Sequence, residues 1–194
     1  VSPITHLLAS WIVASETTDN LRDRALVTWA GVLPDLDGLG LIVDLATGHD
    51  YYYPKYHHWL AHGLPGALVC SGILAAFGRR RWRVFALCLL TFHLHLLCDL
   101  VGSRGPSPDD LWPIFYFGPI STVPMWEWRH QWPLDGWINR IITIVLLAWA
   151  LWLTVKKGDS FVGLFSRRAD KVFVSVLRKW AVQTGLAGKI DSPL

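Results

Sequence analysis

Charge is what this 194-residue sequence lacks most. Asp, Glu, Lys and Arg make up 17% of it, against about 25% in an ordinary soluble domain, too few to cover a water-exposed surface. Cysteine is scarce. Cys70, Cys88 and Cys98 each sit inside an apolar run without Cys-x-x-Cys spacing, which excludes a disulfide framework and a thiolate zinc site. No internal repeat is present, nor any sustained apolar/polar alternation of the kind a half-buried sheet requires. Basic and aromatic residues are not interleaved as on a nucleic-acid-binding face, so no nucleic-acid partner is expected. What is abundant is apolar: 52% of residues, 12 of them tryptophan, with a mean hydropathy of +0.32. The class this predicts is all-α, a polytopic membrane helical bundle.

The net charge of +3 is unevenly placed. From Lys156 onward eight Lys/Arg face three Asp, a local +5 that leaves −2 on the first 155 residues. Two regions follow: a membrane-embedded domain over 1–155, and a basic amphipathic tail over 156–194 on the cytoplasmic side, next to anionic lipid headgroups.

Ser2-Pro3 reads as a helix start, Ser2 the cap and Pro3 the first helical residue, with the helix continuing to about Ser15. Without a charged n-region or small-residue cleavage site it reads as part of the bundle, not a signal peptide. A second apolar stretch from Ala25 stops at Pro34, and Leu39 to Ala46 resumes the pattern. Trp59–Phe77, Trp82–Val101 and Trp137–Val155 are each about 20 residues, enough to cross a hydrocarbon core of about 30 Å. Between the last two lies a loop, Gly102 to Asp135, with six prolines and four tryptophans. From Phe161 to Trp180 the apolar residues recur at helical spacing with Arg167, Lys171 and Arg178 off the stripe, the pattern of an in-plane amphipathic helix.

Ionisable groups within apolar helices are costly and each needs a partner or a task. Here they cluster. His6 lies in the first helix, and Asp35 and Asp37 follow the second. His57, His58 and His62 open the third, and His93, His95 and Asp99 end the fourth. Imidazole and carboxylate suit zinc and related ions. His95 and Asp99 are four apart and share a helix face, as would His58 and His62. His93 lies about 200° from His95 around a helix and cannot share its site; a hydrogen-bonded interhelical histidine is the simpler expectation. His49 and His130 fall in loops and read as solvated. Asp35 and Asp37 flank Leu36 directly after a proline, where both carboxylates can reach one centre; alone, the pair would also suit a turn and a helix cap.

Basic residues give an orientation. Arg79 to Arg81, Arg83, Lys156 and Lys157 belong on the cytoplasmic side, so His57–His62 and His95–Asp99 end on the opposite, non-cytoplasmic face. If the first two short helices dip in and return, His6, Asp35 and Asp37 meet them there.

At these residues the sequence resembles a bacterial inner-membrane family of metal-dependent hydrolases, the YdjM-like family. The resemblance rests on Ser2-Pro3-Ile4-Thr5-His6, Pro34-Asp35-Leu36-Asp37, the pair His57 and His62, and His95-x-x-x-Asp99 followed by Gly105 and Leu111-Trp112-Pro113. It covers residues 1 to about 115. Two positions depart from the family pattern: His58 stands where Arg is usual, and Ala61-His62-Gly63 where Thr-His-Ser is usual. The order of ligands is also distantly similar to zinc-dependent phospholipase C. That likeness implies one metal on Asp37, His62, His95 and Asp99, and a second on His6 and Asp99 with Asp35 or the N-terminal amine.

The resemblance implies a hydrolase of the inner (cytoplasmic) membrane with zinc as cofactor, one to three ions, or manganese. Its expected substrate is a phosphoester, most simply a phospholipid phosphodiester, cleaved by metal-activated water. Asp99 is the expected bridging carboxylate, Asp35 a base or an orienting group, and His57 a ligand, an orienting residue or a substrate contact. Arg104, Arg129 and His58 are the expected contacts to substrate. The rival expectations are a non-catalytic metal-binding or structural membrane protein, a metal transporter, and a bis-His haem protein on His62 and His95.

Overall fold

The computed structural model describes residues 1–57 and 59–186, and within them the chain is all-α apart from one two-stranded ribbon. By internal contacts the chain divides into Val1–Thr143 and Ile144–Leu194.

In the first unit, α1 spans Pro3–Thr17, two residues further than the apolar pattern suggested. Ser2 caps it as expected, its side chain accepting from the Thr5 N–H. α2, Leu21–Ala30, is capped by Asn20. A 3₁₀ segment over Leu33–Leu39 follows, running into α3, Gly40–Thr47. These make a pair bent by 48° at the break, where Pro34 has no N–H to donate. α4 is one turn, Tyr52–Tyr56. α5 spans Leu64–Ala76 and α6 spans Arg81–Gly102.

α6 is the axis of this unit and packs on α5, α2 and α1. Ala14, Val27, Ala30, Ala75, Val84 and Cys88 form one buried cluster among them. Thr91 Oγ1 donates to the Val27 carbonyl across the α2–α6 contact. Just past α2 the chain also runs so close to α1 that position 31 requires glycine, since a Cβ there would lie 1.8 Å from Ser10 Oγ and 2.8 Å from Ser10 Cβ. At the arginine-bearing end, the Arg79 N–H donates to Asp23 Oδ1 at 2.8 Å and so fixes the turn into α6.

The third expected span is shorter than its apolar run. α5 has 13 residues, about 20 Å at 1.5 Å per residue, and does not cross about 30 Å of hydrocarbon alone. Pro65 stands in its first turn and starts it late. Residues 59–63 are bent rather than helical; the expected pairing of His58 with His62 falls on His58, outside the described residues. Two helices, α6 and α7 (Trp137–Lys157), are long and apolar enough to span a membrane, or three spans if the bent pair counts as one. Their outer faces carry exposed Leu90, Leu97, Ile144, Val145 and Trp152, as lipid contact requires.

The loop before α7 holds strands β1, Ile114–Phe115, and β2, Met125–Trp126, an antiparallel pair that the sequence pattern did not announce. Side-chain amides fix this loop. Gln131 exchanges two hydrogen bonds with the Trp112 backbone at 3.0 and 2.9 Å. Asn139 Nδ2 donates to the carbonyls of Gly102, Pro133 and Leu134, and its Oδ1 accepts from Trp132 Nε1 at 2.7 Å.

In the second unit, a 3₁₀ turn at Phe161–Leu164 precedes α8, Arg167–Gln183. Asp170 accepts from both the backbone and the hydroxyl of Ser160, tying turn to helix. α8 is amphipathic, with Val172, Val176 and Trp180 exposed along one stripe.

Candidate metal centre

The expected ligands meet at the end of α6 away from its arginines. Asp99 lies 18 residues beyond Arg81, about 27 Å along the axis. His6, His62, His95, Asp37 and Asp99 are all buried, and the Asp35 side chain is 20% exposed. They fall into two groups whose donor atoms are mutually within 4.8 Å: His6, Asp35, His95 and Asp99, and beside it Asp37, His57 and His62. This partition differs from the one implied by the phospholipase likeness, which put Asp37 and His62 with His95. The groups nevertheless touch, because His62 Nε2 is 3.2 Å from His95 Nε2 and 3.5 Å from Asp99 Oδ2.

Hydrogen-bond logic fixes what these atoms offer. His95 Nδ1 faces the Gly31 carbonyl at 2.9 Å, and a carbonyl only accepts, so Nδ1 carries the hydrogen. His62 Nδ1 likewise donates to Asp37 Oδ2 at 2.9 Å. Both Nε2 atoms point inward, toward each other and toward Asp99 Oδ2, which is 2.9 Å from His95 Nε2. Burial opposes a charge on His62, but its hydrogen bonds to Asp37 and Asp99 outweigh that and push its pKa up to about 9; a cation taking the place of the protons at this point would meet three lone pairs. Separations of 3.2, 2.9 and 3.5 Å lie close to the tetrahedral edge of about 3.3–3.4 Å that follows from zinc–nitrogen bonds of 2.0–2.1 Å. The donor set fits a divalent transition metal.

Asp99 has one oxygen on each side. Oδ2 faces His95 and His62, while Oδ1 accepts from Ser103 Oγ at 2.9 Å and lies 3.1 Å from His6 Nε2. The Val1 nitrogen is also 2.6 Å from Oδ1, donating to it. His6 stacks on His95 with ring centres 3.7 Å apart. Asp35 reaches the centre from the 3₁₀ segment, with Oδ1 3.6 Å from His95 Nε2. Its Oδ2 is buried without a hydrogen-bond partner among the described residues, an acceptor that a cation would satisfy. Asp37 accepts from His57 Nδ1 at 2.9 Å, from His62 Nδ1 and from the Ala61 N–H at 3.1 Å. The bend at residues 59–63 is what brings Ala61 and His62 to it.

A cavity of about 550 Å³ opens over this cluster, with Asp35, His57 and Asp99 in its wall. Tyr53, Ser103, Arg104 and Trp112 line it further out. The Tyr53 ring stacks on His57 at 4.6 Å. Burial first, then the charges of Asp35, Asp37 and Asp99, push the Tyr53 phenol above its ordinary pKa, so it stays a hydrogen-bond donor. Arg104 Nε is buried with no hydrogen-bond partner among the described residues. Of the expected substrate contacts, Arg104 lies in this cavity wall.

Other expected positions lie elsewhere. Arg129 is exposed and outside the cavity wall. His58 lies outside the described residues. His93 bonds the Leu89 carbonyl of its own helix at 2.8 Å and the Tyr116 hydroxyl at 3.1 Å, so it ties α6 to the turn after β1 and not to another helix. His49 and His130 are exposed. Bis-His haem ligation is not supported, since two Nε2 atoms 3.2 Å apart with a carboxylate against them leave no plane for a macrocycle. The sequence reading passed over Gly31, whose carbonyl orients His95, and Ser103, which supports Asp99. Ser103 sits four residues after Asp99, a spacing that could have flagged it.

No curated protein and no solved structure matches this chain. A family profile does, over residues 2–169, beyond the stretch to about 115 that its motifs had suggested and through α7 into α8. With its apolar helices and this span of agreement, the chain belongs to the YdjM inner membrane protein family.

Proposed function

We propose that the protein is a metal-dependent phosphodiesterase of the inner membrane acting on a phospholipid phosphodiester. The observation that carries this is the convergence of His62 Nε2, His95 Nε2 and Asp99 Oδ2 at the foot of a cavity that also holds Arg104. His62, His95 and Asp99 would hold a first ion with Asp35 beside it, and a second at His6 would replace the contacts of its Nε2 to the Val1 carbonyl and Asp99 Oδ1. Asp37 acts behind them, orienting His62 and His57 as a carboxylate–histidine pair does in metal sites generally. Zinc or manganese bound there would supply Lewis-acid polarisation of a phosphoryl oxygen and a lowered pKa for water.

The chain's own groups perform the rest. Arg104 binds the phosphate. Asp35 takes the proton of the water that adds to phosphorus as the bond to the leaving oxygen breaks. His57, held through Nδ1 by Asp37, returns a proton to that oxygen, and the products are a phosphomonoester and an alcohol. The centre is assigned to the non-cytoplasmic face, because Arg79–Arg83 and Lys156-Lys157 mark the opposite side.

The experiment is metal analysis of detergent-purified protein joined to a turnover assay on phospholipid. One to three zinc or manganese ions per chain, with turnover lost on chelation and regained on metal return, is the expected result. Bound metal without turnover on any phosphoester would favour a non-catalytic metal protein. Absence of metal binding would end the proposal.

A further inference from the structure

The cavity wall outside the metal cluster has a charge order that the hydrolase reading does not use. Arg104 follows Ser103, whose hydroxyl bonds Asp99, and is half-buried with its Nε fully so. Further out the wall carries two more carboxylates, Asp110 and Asp135, both exposed and neither ion-paired among the described residues. Asp110 is held over the Arg104–Gly105 backbone. The Gly105 N–H donates to the Asp110 carbonyl at 2.9 Å, and a Cβ on residue 105 would lie 1.7 Å from Asp110 Oδ2, so only glycine leaves the carboxylate its place. Trp112 lines the same cavity two residues on from Asp110, its ring 5.8 Å from Tyr53 and 5.4 Å from His57. An aromatic face beside carboxylates is the usual receptor for an ammonium group. A guanidinium next to a metal cluster is one for a phosphate.

The opposite wall is apolar and continuous with the outer surface. Leu39 and Leu41 line the cavity and are 52% and 46% exposed. Beyond them on α3, Ile42 and Leu45 are 63% and 76% exposed. This exposed apolar stripe lies on the bent α2–α3 pair, itself apolar enough to count as a third span, and offers acyl chains an apolar path out of the cavity.

We infer that the cavity selects a bilayer phospholipid whose headgroup carries an ammonium, with the phosphate on Arg104 and the metal cluster, the ammonium on Asp110, Asp135 and the Trp112 ring, and the acyl chains leaving over Leu39 and Leu41. This rests on the hydrolase reading for the position of the phosphate. The outer carboxylates repel a headgroup with no positive charge, so the discrimination is against anionic lipids such as phosphatidylglycerol.

The test reads binding, not turnover. Full-length zinc-loaded protein in detergent is offered equal amounts of phosphatidylethanolamine and phosphatidylglycerol as phosphonate analogues, a methylene replacing the glycerol-side bridging oxygen, and retained lipid is counted by native mass spectrometry. Two partly solvated charge contacts predict about a tenfold preference for the ethanolamine lipid. The double substitution Asp110→Asn with Asp135→Asn should bring the ratio near one at unchanged zinc content, and Arg104→Gln should lower retention of both lipids together. Both aspartates are exposed, so folding is spared; an unchanged melting temperature confirms it. A wild-type ratio near one, or a preference that survives the double substitution, overturns the inference. Retained preference without turnover of the natural lipids would sustain it and count against hydrolysis; turnover of both lipids with no preference would do the reverse.

Discussion

The Asp37→Asn substitution separates two arrangements of the centre that share all their residues. Asp37 is fully buried and accepts three hydrogen bonds, from His57 Nδ1, His62 Nδ1 and the Ala61 N–H. If it orients His62, the asparagine keeps one carbonyl acceptor and removes the negative charge that holds the imidazole with Nε2 turned inward. Loss of an orienting carboxylate behind a metal-bound histidine costs about 10–100-fold in affinity, or about 1.4–2.7 kcal/mol. That is below the sum expected for two charge-assisted bonds at about 1.5–3 kcal/mol each, because the amide still accepts from one partner. Competition against a chromophoric zinc chelator would measure the change, with metal content counted in parallel. The expected outcome is weaker binding at unchanged stoichiometry. If Asp37, His57 and His62 instead hold an ion of their own, one equivalent disappears and the remaining affinity is unaltered. That result would refute the orienting role.

His95→Ala and Asp99→Ala should each abolish tight binding while the protein stays membrane-inserted, because both supply atoms to the three-acceptor point; wild-type metal content in both purified variants would remove them from it. His93→Leu should leave metal content unchanged and cost about 1 kcal/mol in stability through its lost bond to Tyr116; a fall in bound metal would contradict its placement. In a cysteine-free background, Ser107→Cys should react with an impermeant maleimide only from the non-cytoplasmic side and Ser175→Cys only from the cytoplasmic side, and the reverse pattern would invert the orientation.

The clustered residues were legible because chemistry constrains them by type. A carboxylate or imidazole inside an apolar run needs a reason, and His6, Asp35, Asp37, His62, His95 and Asp99 shared one. Their supports were not legible. Any residue offers a backbone carbonyl, so nothing in the sequence marks that of Gly31 as the partner of His95. The extent of α5 was misjudged because a hydropathy run counts residues without asking whether they are helical. Gly63 and Pro65 carried the boundary, and the tertiary demand that His62 reach Asp37 explains why it lies there. Arg129 was drawn in by proximity in sequence to a tryptophan-rich loop, while Arg104, one residue past Ser103, is the arginine that the end of α6 delivers to the cavity.

The charge balance of the centre bears on how many ions it takes. Asp35, Asp37 and Asp99 bring −3 into a region where Asp37 and Asp99 are at most 3% exposed, and the imidazoles of His62 and His95 are arranged to enter as neutral donors of lone pairs. Carboxylates buried to this degree are costly without compensating positive charge. One divalent ion leaves −1, which repels a phosphodiester. Two leave +1, which attracts it, and Arg104 adds a further positive charge on the same side. Both oxygens of Asp99 lie within the group of His6 and His95, and Oδ2 also faces His62 across the seam at 3.5 Å. With Asp110 and Asp135 at the mouth, the cavity would then be positive within and negative without, the order of charges along an ammonium-bearing phosphodiester entering phosphate first.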